Sequence, residues 1–206
     1  MNPVRICLAC AAALSGAANA NLIVNGSFEE SGFNPGSSWI PMSGGDNSIT
    51  GWTTFGAGID YMGTVLAASD GTRSIDLNNL TSGGGIAQSF ATVAGWIYTV
   101  EFDLSANMFG GPTPKLMQVS AAGQSAQFEF DYVAAGSTAA NLAWERISWS
   151  VVGNGSSANL AFEGISGGVY GADIDHVVVT GVVPSPGTLA GLGLAGLFGA
   201  RRRRGG

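Results

Sequence analysis

Apolar and polar residues alternate along several short stretches in the middle of the chain, which is the pattern of a strand with one buried face. In residues 98–104, Tyr, Val, Phe and Leu alternate with Thr, Glu and Asp. Residues 127–132 and 147–151 repeat the alternation. Shorter patterns predict further strands at Leu22–Val24, Ile59–Met62, Ser74–Leu77, Ile86–Thr92, Leu116–Ala121, Leu160–Glu163 and Ile174–Thr180.

Turn-forming residues separate these stretches at short intervals. The breaks include Gly44–Asn47, Ser69–Gly71, Ser82–Gly85, Gly110–Pro112, Gly153–Gly155 and Gly167–Gly168. Between the two ends of the chain we find no amphipathic helix pattern, no internal repeat and no second domain. Eight to ten short strands at this spacing predict an all-β fold, an antiparallel jelly-roll β-sandwich over residues 21–181.

The first twenty residues have the three parts of a secretory signal peptide. Arg5 supplies a positive n-region, residues 6–14 an apolar h-region, and residues 18–20 the sequence Ala-Asn-Ala, an A-x-A cleavage site. A lipoprotein signal ending at Cys10 is an alternative, but it leaves too few residues for an h-region. We therefore predict residues 1–20 to be a signal peptide and the protein to be exported.

Residues 182–206 also have three parts. A Val-Pro-Ser-Pro motif precedes an apolar run, residues 187–200, and a cluster of four arginines. As a helix the apolar run extends about 21 Å, which is short of a hydrocarbon core of about 30 Å. Arginines flanking an apolar segment stay on the cytoplasmic side. The motif and the cluster consist of Val183, Pro184, Ser185, Pro186, Arg201, Arg202, Arg203 and Arg204.

This tail resembles the PEP-CTERM sorting signal of Gram-negative bacteria, in which Val-Pro-Glu-Pro precedes a membrane segment and an arginine cluster. Ser185 stands where that signal usually has Glu. The resemblance implies that the tail holds the protein in the inner membrane for a time. An exosortase-type enzyme then cuts near the motif and releases the protein to the cell surface or the extracellular matrix. The short apolar run suits a temporary membrane segment.

Removal of both ends changes the charge of the chain. The whole chain has a formal net charge of −6, but residues 21–183 have only three basic residues against all fourteen acidic ones, and hence −11. Such a surface repels nucleic acid and anionic lipid. Both cysteines, Cys7 and Cys10, fall in the predicted signal peptide. Core packing or a metal, and not a disulfide, must therefore stabilise the exported domain.

Several short motifs occur in a characteristic order. They are Asn-Leu-Ile-Val-Asn-Gly-Ser-Phe-Glu at 21–29, Ile-Thr-Gly-Trp at 49–52, Ser-Ile-Asp-Leu-Asn at 74–78, Gly-Gly-Ile-Ala-Gln-Ser-Phe at 84–90, Gly-Trp-Ile-Tyr-Thr-Val at 95–100 and Asp-Ile-Asp-His-Val at 173–177. Together they resemble the choice-of-anchor C family, exported bacterial β-sandwiches of galactose-binding-like fold. These are akin to plant cell-wall domains of unknown function with the same start. His176 replaces the second Asp of the usual last-strand motif.

The resemblance implies a structural calcium ion. Related sandwiches bind one between the carboxylate after the N-terminal Phe and the Asp of the last strand. These positions are Glu29 and Asp175 here, with Asp70 or Glu30 as further ligands. Calcium prefers six to eight oxygen ligands, so such carboxylates suit it. Alternatively, Glu29 and Glu30 are solvated charges and Asp175 caps a turn.

Tryptophans are the candidate ligand-binding residues, because sandwiches of this kind stack exposed rings on sugars. Trp39 lies in a polar stretch and Trp96 in a turn, so these two are the candidates for exposure. Trp52 and Trp144 occupy family-motif positions and Trp149 an apolar strand position, so we expect these three in the core. A surface ring half-covered by a loop is the alternative for Trp39 and Trp96.

The sequence gives little support for catalysis. The exported part has one histidine and no cysteine, which excludes a Cys–His site and histidine-rich zinc sites. His176 follows Asp175 on a predicted strand, so we expect their side chains on opposite faces and His176 to be a packed or edge residue. Paired carboxylates for glycoside hydrolysis remain an alternative. Four acidic residues occupy the polar positions of the strand patterns, and we expect them to face solvent: Glu101, Asp103, Glu129 and Asp131.

These observations predict an exported, non-catalytic protein of the cell surface or extracellular matrix that binds polysaccharide. The alternative is a structural or adhesive matrix protein whose partners are proteins or further copies of the chain. A glycan-active hydrolase is a third hypothesis. The expected partners are extracellular polysaccharide, an exosortase-type processing enzyme and, transiently, the inner membrane, but not nucleic acid.

Overall fold

The computed structural model describes residues 20–184, and these residues form a sandwich of two antiparallel sheets, as predicted. The eleven strands are β1 (Trp39–Met42), β2 (Thr53–Gly56), β3 (Ile59–Met62), β4 (Ser74–Asp76), β5 (Gly84–Ala91), β6 (Ile97–Ala106), β7 (Lys115–Ala121), β8 (Gln124–Phe130), β9 (Glu145–Val152), β10 (Ser157–Gly164) and β11 (Ala172–Val182). One sheet has the order β1-β3-β4-β11-β6-β9, and the other has the order β2-β5-β10-β7-β8.

The two strands that the sequence did not predict, β1 and β2, are the reason for eleven strands where eight to ten were expected. Each has four residues and lies at the edge of its sheet. Pro41 within β1 cannot donate a ladder hydrogen bond, which an edge position tolerates. Short edge strands bury little surface, so their sequences show no clear alternation.

The predicted strand at Leu22–Val24 is wrong. The side chain of Asn21 bridges to β11 instead: its Nδ2 donates to the Val177 carbonyl, and its Oδ1 accepts from the Val179 amide. The Leu22 amide adds one hydrogen bond to the Val179 carbonyl. The segment therefore attaches to β11 largely through one side chain, without forming a ladder.

Aromatic side chains fill the space between the sheets. The rings of Phe28 and Trp52 lie 5.1 Å apart between centroids, and those of Phe102 and Phe162 are also 5.1 Å apart. Trp52 is buried, as expected, and its indole Nε1 donates to the Asn25 carbonyl. This packing of large rings forms the main hydrophobic core, with no disulfide among the described residues.

A second, smaller apolar cluster covers part of the outer face of the six-stranded sheet. It consists of Met62, Leu66 and Leu142, with the half-buried Trp144 packed against them. The Trp144 indole donates to the Ala67 carbonyl at 3.1 Å. Trp144 therefore packs as expected, but in this outer cluster and not between the sheets. Trp149 is half-buried against the main core.

The predicted signal peptide up to residue 19 and the sorting tail from Ser185 onwards lie outside the described residues. No helix within residues 20–184 is long and apolar enough to cross a membrane.

Candidate functional site

An apolar groove opens at one end of the sandwich, where β1 and β3 meet the loops that follow β4, β6 and β10. We refer to it as the Trp39 groove. Its cavity measures about 280 Å³. It is lined by Trp39, Pro41, Asp60, Met62, Asn79, Leu80, Asn107, Phe109, Val169 and Tyr170. Most of this lining is apolar or aromatic, with few polar groups, which is typical of small-molecule sites.

The rim of the Trp39 groove exposes large apolar side chains. Trp39 is 50% exposed and Phe109 49%, while Leu80 and Val169 are exposed as well. Soluble domains seldom leave such side chains next to one another without a partner or ligand. The structure thus places Trp39, one of the two tryptophans predicted to be exposed, at the edge of an apolar concavity.

Three aspartates form a row beneath this groove on the outer face of the six-stranded sheet. Asp60 of β3 is the register partner of Asp76 in β4, and Asp76 is the partner of Asp173 in β11. Side chains directly opposite on paired strands lie on one face, about 5 Å apart at Cβ. None of the three was predicted from the sequence to be a site residue.

Asp60 is the member of the row that lines the groove. Its Oδ1 is buried and has no hydrogen-bond partner among the described residues. Burial raises the pKa of the Asp60 carboxyl to about 6. An ionised carboxylate with an unsatisfied oxygen is costly in such surroundings. Asp60 as a whole is half-buried, so the part of its carboxyl group that faces the groove can meet a ligand.

Asp76 and Asp173 are fully buried behind Asp60. Asp76 accepts hydrogen bonds from the amides of Asn78 and Gly171 and from the side chain of Asn107. Both oxygens of Asp173 lack a partner within the described chain. Burial raises the pKa of both carboxyls, and for Asp173 the neighbouring Asp76 adds to the rise. Neither carboxyl can reach a ligand in the groove.

Lys115, the only lysine of the chain, is fully buried close to these acids. Its Nζ donates to the carbonyls of Gly110 and Tyr170, at 2.7 Å and 2.6 Å. Burial lowers the pKa of Lys115, while Asp76 and Asp173 oppose this effect. The ammonium therefore ties together two loops that line the groove, and it partly balances the acids behind it.

The other predicted ligand-binding tryptophan, Trp96, lies in a second groove. This cavity of about 300 Å³ is lined by Ala20, Leu22, Ala91, Val93, Trp96, Tyr98 and Gly181. Trp96 is half-buried and packs against the main core. The phenolic oxygen of Tyr98 already accepts a hydrogen bond from the Val93 amide. No charged side chain lines this groove, so it offers a ligand apolar contact with little polar recognition.

A polar depression of about 430 Å³ lies on the five-stranded sheet between β7, β8 and β10. Its lining includes Gln118, Ser120, Gln124 and Asn159, and no aromatic ring. It could accept hydrogen bonds from a ligand but provides no face for stacking. The Trp39 groove is the only one of these three concavities in the described chain that combines exposed rings with an unsatisfied polar group.

The residues predicted to bind calcium converge on one loop, residues 69–73. Glu29 accepts hydrogen bonds from the amides of Thr72 and Arg73, and Asp175 accepts them from the amides of Ser69 and Asp70. The Asp70 side chain is exposed, as is that of Glu30. Burial raises the pKa of Asp175 to about 7, although these hydrogen bonds oppose the rise.

These N–H donors satisfy the carboxylates in the way that a cation would. Within residues 20–184, no group of three or more His, Cys, Asp or Glu side chains is arranged to hold a metal ion. The pattern matches the alternative in which Asp175 caps a turn. The calcium ion stays a prediction.

His176 was expected to be a packed or edge residue, and this expectation was wrong. A bulge interrupts the pairing of β11 with β6 between Asp175 and Val178, and His176 adopts a φ of 49° there. β11 is an interior strand, and His176 is exposed. The Nδ1 atom of His176 lies 3.4 Å from Oδ2 of Asp103. The same Oδ2 accepts a hydrogen bond from Ser69 Oγ, while Oδ1 of Asp103 pairs with Arg146. Asp103 is thus half-buried in a polar cluster, not simply facing solvent.

Comparison with known proteins places the domain in a family. A family described as "Protein of unknown function (DUF642)" matches residues 21–180. The chain belongs to the DUF642 family. The match supports the kinship with domains of unknown function that the N-terminal motif indicated. No curated protein matches the sequence.

Solved structures share the fold of this DUF642 domain. The Stig cyclase Fisc from Fischerella sp. TAU, in complex with an indole compound, has a TM-score of 0.54 at 15% identity, covering 80% of this chain and 98% of its own. A CBM4 structure has a TM-score of 0.47 at 18% identity, and the match covers 78% of this chain and 99% of the CBM4 chain. TmCBM61 in complex with β-1,4-galactotriose has a TM-score of 0.47 at 14% identity, and the match covers 78% of this chain and 97% of the TmCBM61 chain. At these identities the likeness extends to the fold alone.

Proposed function

We propose that this DUF642 protein is an exported, non-catalytic carbohydrate-binding protein, and that the Trp39 groove is its binding site. The observation that carries the proposal is the half-exposed Trp39 ring beside Asp60, whose Oδ1 lacks a partner in the described chain. The apolar face of a sugar stacks on an indole ring, and its hydroxyls need acceptors at the edge. Trp39 and Asp60 supply one of each.

The same groove offers limited means for hydrolysis. Glycoside hydrolysis by the usual routes needs two carboxylates flanking the scissile bond. Asp60 is the only acidic side chain that lines the Trp39 groove, and Asp76 and Asp173 are fully buried behind it. This arrangement supports binding without turnover. A hydrolase would show turnover that disappears on Asp60→Asn.

The location of the protein forms the second part of the proposal. The predicted signal peptide and the PEP-CTERM-like tail support export, temporary retention in the inner membrane and release by an exosortase-type enzyme. The resemblance to the choice-of-anchor C family points the same way. The net charge of −11 over residues 21–183 suits an extracellular protein that avoids anionic lipid. Extracellular polysaccharide is then the ligand that the domain meets.

A calcium ion bound between Glu29 and Asp175, with Asp70, belongs to the proposal as a structural element. It would connect the N-terminal segment to β11. Thermal unfolding in calcium and in chelator tests it: a higher midpoint in calcium, lost in Asp175→Asn, is the expected result. An unchanged midpoint would rule out a stabilising ion.

Co-sedimentation with the producer's own exopolysaccharide, together with a glycan array, tests the binding function. Wild-type protein should bind, and Trp39→Ala should lose most of the binding while it keeps the wild-type melting temperature. Failure of the wild-type protein in both assays would contradict the proposal. Self-association without sugar would then favour the structural or adhesive alternative.

A further inference from the structure

The acceptor in the Trp39 groove is a carboxylate, and this limits the ligands that the groove can take. Asp60 Oδ1 is buried without a hydrogen-bond partner in the described chain. Its pKa of about 6 leaves the group mostly ionised at neutral pH. A neutral hydroxyl satisfies one hydrogen bond of such a group, but only a positive charge compensates it.

The groups behind Asp60 leave its charge uncompensated, because no ion pair to Asp60 forms within the described residues. Asp76 and Asp173 continue the row across β4 and β11. The one positive charge nearby, Lys115, directs its hydrogen bonds to the carbonyls of Gly110 and Tyr170. Burial raises the pKa of Asp76 to about 7 and also raises the pKa of Asp173, so these two carboxyls bind protons readily near neutral pH and add little negative charge. The negative charge at the groove is that of Asp60, and it favours a cation over an anion there.

The walls of the groove suit a cation as well. The rings of Trp39, Phe109 and Tyr170 line it, and the faces of aromatic rings attract ammonium groups, most strongly when these are partly desolvated. Aromatic rings together with a carboxylate form a recognition site for an organic cation. A uronic acid, in contrast, would bring a second carboxylate next to Asp60.

We propose that the Trp39 groove selects glycans that carry a primary ammonium group, that is, amino sugars with a free amine, over N-acetylated or uronic-acid glycans. The inference rests on the proposed carbohydrate-binding function and names the ligand class of the same site. The ammonium lies next to the part of the Asp60 carboxylate that faces the groove, and the sugar ring stacks on Trp39.

Calorimetric titration with three oligosaccharides of equal length tests the inference at pH 6.5: a glucosamine oligomer, its N-acetylated form and a glucuronic-acid oligomer. We expect the free-amine oligomer to bind at least fivefold more tightly than the acetylated one, and the uronate to bind most weakly. Equal affinity for the first two, or preference for the uronate, overturns the inference while leaving carbohydrate binding intact. No binding of any oligomer contradicts both.

Two variants that each remove one negative charge separate site recognition from general attraction to an acidic protein. Asp60→Asn should lose the preference for the amine and retain binding of the acetylated oligomer. Glu129→Gln, on the exposed face of β8 in the other sheet, should behave as wild type. An equal loss in both variants would mean that net charge alone attracts the amine, and would overturn the inference.

Discussion

The two grooves at opposite ends of β6 resemble each other in size but differ in chemistry. Each holds one of the two tryptophans predicted to be exposed, in cavities of about 280 and 300 Å³. Trp39 stands half-exposed above a buried row of acids, whereas Trp96 packs against the core among apolar side chains. From the sequence, both tryptophans were equal candidates for ligand binding, because the neighbouring residues in the chain do not show which side chains surround each ring in the folded protein.

The difference shows what a tryptophan needs in order to mark a binding site. An indole ring supplies area in either groove, but recognition also requires a polar group that the protein leaves unsatisfied. Asp60 provides it at the Trp39 end. At the Trp96 end, the Tyr98 hydroxyl is already engaged with the Val93 amide. We therefore propose that Trp39 contacts the ligand and that Trp96 serves packing.

The largest effect is expected from Lys115→Ala, because only the Trp39 end depends on buried charge. Loss of one partner from a buried charged cluster costs about 3–5 kcal/mol, or roughly 6–20 °C in melting temperature for a domain of this size. Differential scanning calorimetry at pH 8 measures it. At pH 5 the acids bind protons more readily, so the loss should be smaller. An equal loss at both pH values would contradict the charge account.

Substitution of the two tryptophans should separate binding from stability. Trp39→Ala should weaken glycan binding about tenfold or more, which is about 1.4 kcal/mol, and leave the melting temperature nearly unchanged. Trp96→Ala should leave binding intact and cost about 2 kcal/mol of stability, because it removes packing against the core. Calorimetric titration and thermal unfolding of both variants check this. The reverse pattern would exchange the roles assigned to the two grooves.

A smaller effect is expected from pH. Burial raises the pKa values of Asp60 to about 6 and of Asp175 to about 7, and raises those of Asp76 and Asp173, against about 3.9 in an unfolded chain. The folded state therefore binds more protons than the unfolded state between about pH 4 and pH 7, and stability falls as pH rises through that window. The melting temperature should be higher at pH 5 than at pH 8.

Asp173→Asn is the variant that sharpens this prediction. It removes a buried carboxyl that has no hydrogen-bond partner in the described chain. We expect the variant to melt several degrees above wild type at pH 8, and to show a weaker dependence on pH. Asp131→Asn is the matched control, because Asp131 is exposed and its pKa is lowered by hydrogen bonds from Ala134 and Thr113. A melting temperature that rises with pH would contradict the account.

The alternation of apolar residues predicted most of the fold because burial of one strand face repeats every second residue. Nine strands lie where the patterns placed them, and the two missed strands are short edges with little buried surface. Leu22–Val24 failed because the side chain of Asn21 replaces backbone pairing. The alternation of apolar and polar residues does not show that a side chain takes the place of backbone hydrogen bonds.

The site could be predicted only in part. The exposure of Trp39 could be predicted because this residue lies in a polar stretch of the sequence. Asp60 and Asp76 could have been noticed as lone acids inside buried strands, and Lys115 as the only lysine of the chain. Their convergence depends on the pairing of β3 with β4 and β4 with β11. The register between strands that are distant in the sequence cannot be deduced from the residues of a single strand.

The most direct test of the central claim is to follow the five indole N–H signals of the protein by NMR during titration with a bound glycan. The indoles of Trp52 and Trp144 donate to the carbonyls of Asn25 and Ala67, and they serve as internal references. We predict that the Trp39 signal shifts with saturation while that of Trp96 stays in place. A shift of Trp96 without Trp39, or unchanged signals for both rings upon binding, would contradict the assignment of the Trp39 groove as the binding site.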